Sequence, residues 1–166
     1  MEYKNVLYDK TGHVATITLN RPEALNAFNS QLRADFDASL REAQNDKEVR
    51  VVIVTGAGRA FSAGSDLSER SAAPEPPSPL VFAEPLDGSV TNYIMDMTKP
   101  VIVAFQGAAV GMGATIPLAC DIRIMADTAR LGFVFFKRGI TPEFSSPFMF
   151  PRVIAQTQAR ALLFTG

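Results

Sequence analysis

Apolar and polar residues alternate over residues 14–19, and four later runs are mostly apolar. Residues 3–8 and 13–20 are predicted to form the two strands of a β-hairpin, and the alternation predicts that the second strand is half-buried. The later runs favour buried strands at residues 51–56 and 100–105, both rich in β-branched residues, and further strands at residues 121–126 and 131–136, the last strongly aromatic.

Apolar residues at helical spacing separate several of these strands. A helix capped by Ser30 is predicted to end near residue 46, with one apolar face formed by Leu32, Phe36, Leu40 and Ala43. We expect its charged residues to face solvent: Asp35, Asp37, Arg41 and Glu42. Further helices are predicted over residues 89–97, 115–120 and 153–164. Strands that alternate with helices indicate an α/β fold.

A glycine-rich turn follows the strand predicted at residues 100–105. Residues 107–114 (GAAVGMGA) allow the backbone to turn sharply and to approach a ligand closely. The first N–H groups of the next helix lack intrahelical partners and lie at the positive end of the helix dipole. Such a turn can bind an anion or a carbonyl oxygen that gains negative charge. A turn required only for packing would explain the same glycines.

A second loop of this kind follows the strand predicted at residues 51–56. Residues 57–67 (AGRAFSAGSDL) are mostly small, and the loop ends at a predicted helix start. Two strand-to-helix turns that each offer a free N–H predict a two-donor oxyanion hole.

The composition is that of one ordinary globular domain spanning residues 1–166, with 47% hydrophobic and 20% charged residues. A net charge of −1 predicts no general attraction to nucleic acid or to an anionic membrane. Cys120 and His13 are single residues of their type, which argues against an internal disulfide and a Cys/His metal site. No run resembles a signal peptide or a membrane span, so we expect a cytoplasmic protein.

Residues 68–88 contain five prolines, too many for a regular element. We therefore expect a long flexible loop there, of the kind that forms a lid or is disordered. It would separate the second small-residue loop from the helix predicted over residues 89–97.

Two other functional classes fit parts of the pattern. A dinucleotide-binding enzyme would use the glycines at residues 56–58 (GAG) or 111–113 (GMG), but neither set has the third glycine of the Rossmann fingerprint. A serine hydrolase would use Ser65 as its nucleophile, and His13, predicted near the hairpin tip, is a poor candidate for its base.

Four motifs occur in an order that resembles a known family. They are NRPEALNA at residues 20–27, GRAFSAGSDL at 58–67, KPVI at 99–102 followed by glycines at 107, 111 and 113, and ACDIRIMA at 119–126. Because they extend along essentially the whole chain, the sequence resembles the crotonase (enoyl-CoA hydratase/isomerase) superfamily. The resemblance implies a spiral of ββα repeats that binds acyl-CoA thioesters and stabilises a thioester enolate.

The resemblance also implies roles for individual residues. The two oxyanion N–H groups fall on Ser65 and Met112. Coenzyme A is expected to lie against the small-residue loops and the glycine turn, at Ala24, Leu25, Ala27, Ala63, Ser65, Asp66, Leu67, Val110 and Gly111. Coenzyme A is part of the acyl-CoA substrate, so no separate cofactor and no metal are expected. A homo-oligomer, as in relatives that form trimers or hexamers, is expected, with neither nucleic acid nor membrane insertion.

The carboxylates decide the reaction. Similar hydratases carry two glutamates, and the matching positions here hold Thr115 and Phe135, neither of which can add or remove a proton from water. The carboxylate that remains is Glu143 in TPEFSS (residues 141–146), a segment that resembles Δ3,Δ2-enoyl-CoA isomerases, whose single glutamate moves a proton between C2 and C4. Nearby aromatic rings are expected to desolvate Glu143 and raise its pKa: Phe133, Phe135, Phe144 and Phe148.

Two features depart from the family pattern. Pro117 lies inside a predicted helix, where it is expected to remove a hydrogen bond and to cost about 3 kcal/mol or kink the helix. Relatives continue into C-terminal helices that help to close the acyl pocket and build trimers, so the sequence is interpreted as a C-terminally truncated crotonase spiral. Truncation predicts exposed apolar surface on the last helix.

The sequence therefore predicts isomerisation of Δ3-enoyl-CoA to trans-Δ2-enoyl-CoA, with Glu143 as the proton shuttle. Two alternatives stay open. One is an enoyl-CoA hydratase-like lyase, and the other is a non-catalytic acyl-CoA-binding or scaffold member of the same fold.

Overall fold

Eight strands form two sheets in the part of the chain that the structure, a computed structural model, describes: residues 2–71, 90–144 and 146–166. The strands are β1 (Val6–Thr11), β2 (Val14–Leu19), β3 (Val51–Gly56), β4 (Ala60–Ser62), β5 (Val101–Phe105), β6 (Ala108–Val110), β7 (Ile122–Met125) and β8 (Leu131–Gly132). The helices are α1 (Ser30–Asn45), α2 (Leu67–Ser71), α3 (Val90–Asp96), α4 (Met112–Thr115), α5 (Ser146–Val153) and α6 (Gln156–Thr165). Short 3-10 helices lie at Pro22–Ala24, Ile116–Ala119 and Phe136–Arg138.

The larger sheet has the strand order β1-β2-β3-β5-β7. β1 and β2 form the predicted antiparallel hairpin, and β2, β3, β5 and β7 run parallel to one another. Strands inside a parallel sheet are covered on both faces, which explains their nearly continuous apolar sequence. Their most deeply buried side chains include Val52, Val54, Val101 and Val103.

The smaller sheet joins three very short parallel strands in the order β4-β6-β8. Each follows a strand of the larger sheet: β4 follows β3, β6 follows β5, and β8 follows β7. The chain therefore repeats a strand-strand-helix unit and alternates between the two sheets. As a result, the turns after β4 and β6 lie side by side.

Helix α1 packs against the hairpin with the predicted apolar face, but its first turn differs from the prediction. Asn29 is the N-cap in place of Ser30, because its side-chain oxygen accepts a 2.8 Å hydrogen bond from the Leu32 N–H. Asp35 was predicted to face solvent and is buried. Its carboxylate accepts hydrogen bonds from the N–H groups of Lys4 and Asn5, at 3.1 and 2.7 Å. The carboxylate therefore pairs with backbone donors that precede β1.

Helix α4 begins at Met112, three residues before the predicted helix, and the chain continues as a 3-10 helix from Ile116. Pro117 lies in the first turn of that 3-10 helix. Helical hydrogen bonds of α4 end with the bond from Ile116 N–H to Met112 O, and Pro117 has no N–H to continue them, as predicted.

The aromatic strand predicted at residues 131–136 is limited to Leu131–Gly132. The helix predicted over residues 153–164 begins three residues later, as α6 at Gln156, and the preceding helix α5 was not predicted. Pro151 lies in the last turns of α5, which ends two residues later, and the extended backbone of Ala155 starts α6. A proline cannot donate the next helical hydrogen bond, which accounts for the break between the two helices.

The proline-rich segment predicted at residues 68–88 is described only at its start. Residues 68–71 belong to helix α2, so a regular element occupies the start of the predicted loop. Residues 72–88 lie outside the described part of the chain.

The predicted exposure of apolar side chains near the last helix holds for part of the helix. Leu162 and Phe164 are exposed, whereas Leu163 is buried. None of the described helices is both long enough and apolar enough to cross a bilayer.

Gly113 lets α4 approach β4 closely. A Cβ atom at this position would lie 2.6 Å from Ser62 O and 2.7 Å from Ser62 Cβ. Ser62 cannot easily move away, because it is fully buried and its hydroxyl donates to Asn26 O and accepts from Gly64 N, at 2.8 and 3.1 Å. We expect Gly113→Ala to lower the free energy of unfolding by about 1–3 kcal/mol, as overpacking does.

Urea denaturation measures this change, and Gly132→Ala is the matched control. A Cβ at Gly132 would meet its nearest neighbour, Val110 Cγ2, at an ordinary 3.5 Å. Equal unfolding free energies for the two variants would contradict the close approach at Gly113.

Candidate active site

The two small-residue turns predicted from the sequence are in direct contact. β4 pairs with β6 through Ala60 with Ala108 and Ser62 with Ala109. Beyond the paired residues, a Cβ at Gly64 would lie 2.6 Å from Val110 O and 3.5 Å from Met112 N. Gly64 also has a φ of +91°, so both its conformation and its surroundings require glycine.

Each turn presents a backbone N–H that donates no hydrogen bond to a described residue. Ser65 forms a β-bridge with Phe28, but its own N–H takes no part in the two hydrogen bonds of that bridge. Phe28 N donates to Gly64 O, and Asp66 N donates to Phe28 O. Because successive N–H groups of an extended segment point to opposite sides, the Ser65 N–H points away from Phe28. Met112 is the first residue of α4, and its N-cap, Gly111, has no side chain to accept the bond.

A cavity of about 300 Å³ connects these turns with the predicted carboxylate. We call it the central cavity. Among the residues that line it, seven are site residues predicted from the sequence: Ala63, Ser65, Leu67, Val110, Gly111, Met112 and Glu143. Four further residues of its wall had no predicted role: Gly64, Val134, Arg138 and Ile140. The structure therefore brings the two free N–H groups and one carboxylate to the same cavity.

Glu143 reaches the cavity from the irregular segment between the last 3-10 helix and α5. Its side chain is half-buried, and its carbonyl oxygen accepts a 3.1 Å hydrogen bond from the Ser146 N–H at the start of α5. The next residue, Phe144, has a φ of +54°, an uncommon conformation for a bulky side chain. This local backbone directs the chain around the cavity wall.

The aromatic environment predicted for Glu143 is formed only in part. Phe135 is buried and lines the central cavity with Glu143. Phe133 packs against Phe150, with ring centroids 4.5 Å apart. Phe148 was predicted to lie near the carboxylate but is exposed, and the Arg152 guanidinium stacks on its ring. The wall around Glu143 is thus less aromatic than the sequence indicates.

The loop at residues 20–27 contacts the second turn but does not line the central cavity. Its predicted coenzyme A residues are Ala24, Leu25 and Ala27, all half-buried. Leu25 O accepts a 2.9 Å hydrogen bond from Ala63 N, which places this loop beside the loop after β4.

Asp66, another residue predicted to bind coenzyme A, has a carboxylate that pairs within the protein. It accepts hydrogen bonds from the Ser68 hydroxyl at 2.7 Å and from Arg21 Nη1 at 3.0 Å. These two bonds lower the pKa of Asp66. The side chain ties the start of α2 to the loop at residues 20–27 and is absent from the wall of the central cavity.

Asn26 connects the two loops, a role that was not predicted from the sequence. Its side chain is fully buried. The amide nitrogen donates to Ala57 O and Ala60 O at 2.9 and 2.8 Å, and the amide oxygen accepts from Arg21 N at 2.8 Å. A polar residue in a loop motif gives no sign of burial, so only the folded chain reveals this role.

We expect Asn26→Ala to lower the free energy of unfolding by about 2–4 kcal/mol, because it removes three hydrogen bonds and leaves Arg21 N and Ala57 O without these partners. Ala60 O keeps a 2.8 Å hydrogen bond from Gln106 Nε2. Thermal or urea denaturation measures the loss. Asn45→Ala, at the exposed end of α1, is the control and should change stability by less than about 0.5 kcal/mol. A loss of similar size in both variants would refute the role of Asn26.

His13 lies far from Ser65, which removes the basis for a serine hydrolase. It precedes β2, where its Nδ1 lies 2.7 Å from Glu48 O. Ser65 follows the opposite ends of the parallel strands β2 and β3. Six strand residues separate the two ends by roughly 20 Å.

Comparison with known proteins agrees with this arrangement of turns. The family model for enoyl-CoA hydratase/isomerase matches residues 9–166. The chain belongs to the enoyl-CoA hydratase/isomerase family. This assignment confirms the family resemblance seen in the sequence, and it disfavours the dinucleotide-binding alternative.

Relatives in the family include an isomerase and a hydratase. The 1,2-epoxyphenylacetyl-CoA isomerase of Escherichia coli is 37% identical over 92% of this chain, and the short-chain-enoyl-CoA hydratase of Clostridium acetobutylicum is 40% identical over 100% of it. The chain spans 59% and 63% of the lengths of these two proteins.

Solved structures confirm the crotonase fold. Enoyl-CoA hydratase EchA8_6 from Mycobacterium marinum has a TM-score of 0.84 and 38% identity, and the match covers 98% of this chain and 75% of that one. The enoyl-CoA hydratase from Bacillus anthracis has a TM-score of 0.86 and 34% identity, with 98% and 63% covered.

The two positions that resemblance assigns to hydratase glutamates are both buried. Phe135 presents an apolar ring to the central cavity. Thr115 is fully buried, and its hydroxyl lies 3.5 Å from Met112 O within α4. Neither residue is a carboxylate.

Proposed function

We propose that this chain stabilises enolates of acyl-CoA thioesters and isomerises Δ3-enoyl-CoA to trans-Δ2-enoyl-CoA. One observation carries the proposal: Ser65 and Met112, whose N–H groups donate to no described residue, line the same cavity as Glu143. Two donors and one base in one cavity are what this reaction requires.

The reaction proceeds in two proton transfers. Glu143 removes a proton from C2, and the electron pair moves to the thioester oxygen, which forms a dienolate. The N–H groups of Ser65 and Met112 stabilise the negative charge on that oxygen. Glu143 then returns the proton to C4, and the electrons form the C2–C3 double bond. No redox step or second acid is needed.

Water addition is disfavoured by the cavity wall. A hydratase needs a group that activates water and another that delivers a proton. At the two positions assigned by resemblance, Phe135 is a hydrocarbon ring and Thr115 is buried within α4. The hydratase-like lyase is therefore the second candidate, supported by the name of the Clostridium acetobutylicum relative.

The proposed substrate would extend from the central cavity toward the loops at residues 20–27 and 63–67. These loops are joined by the hydrogen bond from Ala63 N to Leu25 O, so one elongated ligand can contact both. We place coenzyme A on this side, with the residues predicted from the sequence. The homo-oligomer and the cytoplasmic location stay predictions.

The test is a substrate panel monitored by absorbance and mass. A Δ3-enoyl-CoA should convert to the conjugated Δ2 isomer without a change in mass, whereas a trans-Δ2-enoyl-CoA should not gain water. Gain of 18 mass units on the Δ2 substrate would identify a hydratase. Binding of acyl-CoA without either reaction would identify the scaffold alternative.

A further inference from the structure

A second cavity lies beside the central one. We call it the α1 cavity; its volume is about 260 Å³, and its wall is largely apolar, with Phe28, Phe36, Ile116 and Phe144 among its residues. Met112 lines both cavities. The two cavities therefore adjoin at the residue whose N–H is assigned to the oxyanion hole.

Two charged residues, Arg33 and Asp37, line this largely apolar wall. The Arg33 Nη2 donates a 3.3 Å hydrogen bond to Ser65 Oγ, which places the guanidinium next to the proposed oxyanion site. Arg33 is exposed at the rim of the cavity. Partial desolvation lowers the pKa of Arg33, while the charges of Glu143 and Glu69 oppose that shift. An arginine remains protonated at neutral pH despite such a shift.

The guanidinium forms no ion pair with a carboxylate of the described residues. Asp37 lines the same cavity, but both of its oxygens bind Arg41, at 2.7 and 3.2 Å. Glu69 accepts two hydrogen bonds from Ser30, at its N–H and hydroxyl. Arg33 has five N–H donors and uses one of them on Ser65, so donors remain for a ligand.

We propose that Arg33 selects acyl-CoA thioesters whose short acyl group ends in a carboxylate. This inference rests on the proposed function. An apolar cavity of about 150 Å³ holds benzene, so the α1 cavity accommodates an acyl group of about six carbons. A terminal carboxylate would form charge-assisted hydrogen bonds with the guanidinium. A terminal methyl group would leave the charge beside hydrocarbon with less water around it.

The other anionic groups of such a ligand are the phosphates of coenzyme A. The Arg33 guanidinium could bind a phosphate in place of the acyl carboxylate, because both groups are oxyanions. The experiment therefore includes coenzyme A without an acyl group, which separates the two sources.

The test measures dissociation constants by calorimetry for adipoyl-CoA, hexanoyl-CoA and free coenzyme A. The two thioesters have six acyl carbons and differ in the terminal carboxylate, and neither needs to react. We expect the protein to bind adipoyl-CoA roughly tenfold more tightly than hexanoyl-CoA. Arg33→Met should remove that preference, and Arg33→Lys should keep part of it because the charge remains.

Arg50→Met is the matched control for the lost charge. Arg50 precedes β3, at the end of the sheet opposite the two turns, and its side chain contacts no charged partner among the described residues. This variant should retain the full preference. Circular dichroism melts of all variants verify that each is folded.

Each result gives a decision. Equal affinities of the protein for the two thioesters would overturn the proposed selectivity while leaving acyl-CoA binding intact. If Arg33→Met weakens the binding of free coenzyme A as much as that of adipoyl-CoA, Arg33 binds the phosphates, and the proposed selectivity is again overturned. Failure to bind any of the three ligands would refute the proposed function itself.

Discussion

Glu143→Gln is expected to slow the isomerisation of a Δ3-enoyl-CoA by roughly two to four orders of magnitude, the usual contribution of a positioned general base. Glutamine keeps the shape of the side chain but cannot accept the C2 proton. Because Ser65 and Met112 remain in the cavity wall, acyl-CoA binding should change by less than about threefold. Absorbance of the conjugated product measures the rate. Exchange of the C2 proton with deuterated solvent should slow in parallel.

Glu48→Gln is the matched control for this substitution. Glu48 is exposed near the start of β3, away from the two turns, and removing its charge should leave the rate unchanged. If the parent isomerises and Glu143→Gln stays within about threefold of its rate, another group carries the proton. If the parent binds acyl-CoA but does not isomerise, the chain is a binding member of the family.

The larger sheet could be predicted from the sequence because each of its strands carries its own signal. β3 begins with four apolar residues, β5 is apolar throughout, and the second hairpin strand alternates between buried and half-buried residues. The face of α1 was equally clear, since its apolar residues recur at helical spacing. Such patterns are local: each one involves only residues that are close together in the sequence.

The smaller sheet could not be predicted because its strands have two or three residues each. Ala60–Ser62 and Ala108–Val110 contain small residues with little preference for extended structure. They become strands by pairing with each other across more than forty residues of sequence. Only the spiral of the larger sheet brings them together.

The aromatic run after Leu131 gave the wrong element because burial was taken as evidence for a strand. Phe133 and Phe135 are buried, as a strand interior would be, yet the backbone leaves the sheet after Gly132 and forms a 3-10 helix at Phe136–Arg138. A short apolar run indicates burial more reliably than it indicates the backbone that provides it.

Part of the candidate site could likewise be predicted from the sequence, and part could not. The glycines and the turns they permit are visible in sequence, because φ above zero and close backbone approach both select glycine. Asn26 and Arg33 were not visible. A polar loop residue normally faces solvent, whereas Asn26 is buried. The partners of the two residues, at Ala57, Ala60 and Ser65, lie about thirty residues away.

Ser65→Pro is expected to reduce the isomerisation rate by roughly two to three orders of magnitude, equivalent to about 3 kcal/mol of lost transition-state stabilisation. Proline removes the N–H that we assign to the oxyanion hole. The bonds that hold this segment are made by its neighbours, from Phe28 N to Gly64 O and from Asp66 N to Phe28 O, at 2.7 and 3.0 Å. The substitution therefore removes a free donor and leaves those hydrogen bonds in place.

Ser65→Ala is the control, since it keeps the N–H and removes only the hydroxyl that Arg33 contacts. On a neutral Δ3-enoyl-CoA it should stay within about threefold of the parent, because the charge that develops on the thioester oxygen meets the same backbone donor. Melting curves establish that both variants are folded. Suppose instead that the proline variant is folded and as fast as the alanine variant. The Ser65 N–H would then not stabilise the oxyanion, and a different group would have to act beside the Met112 N–H.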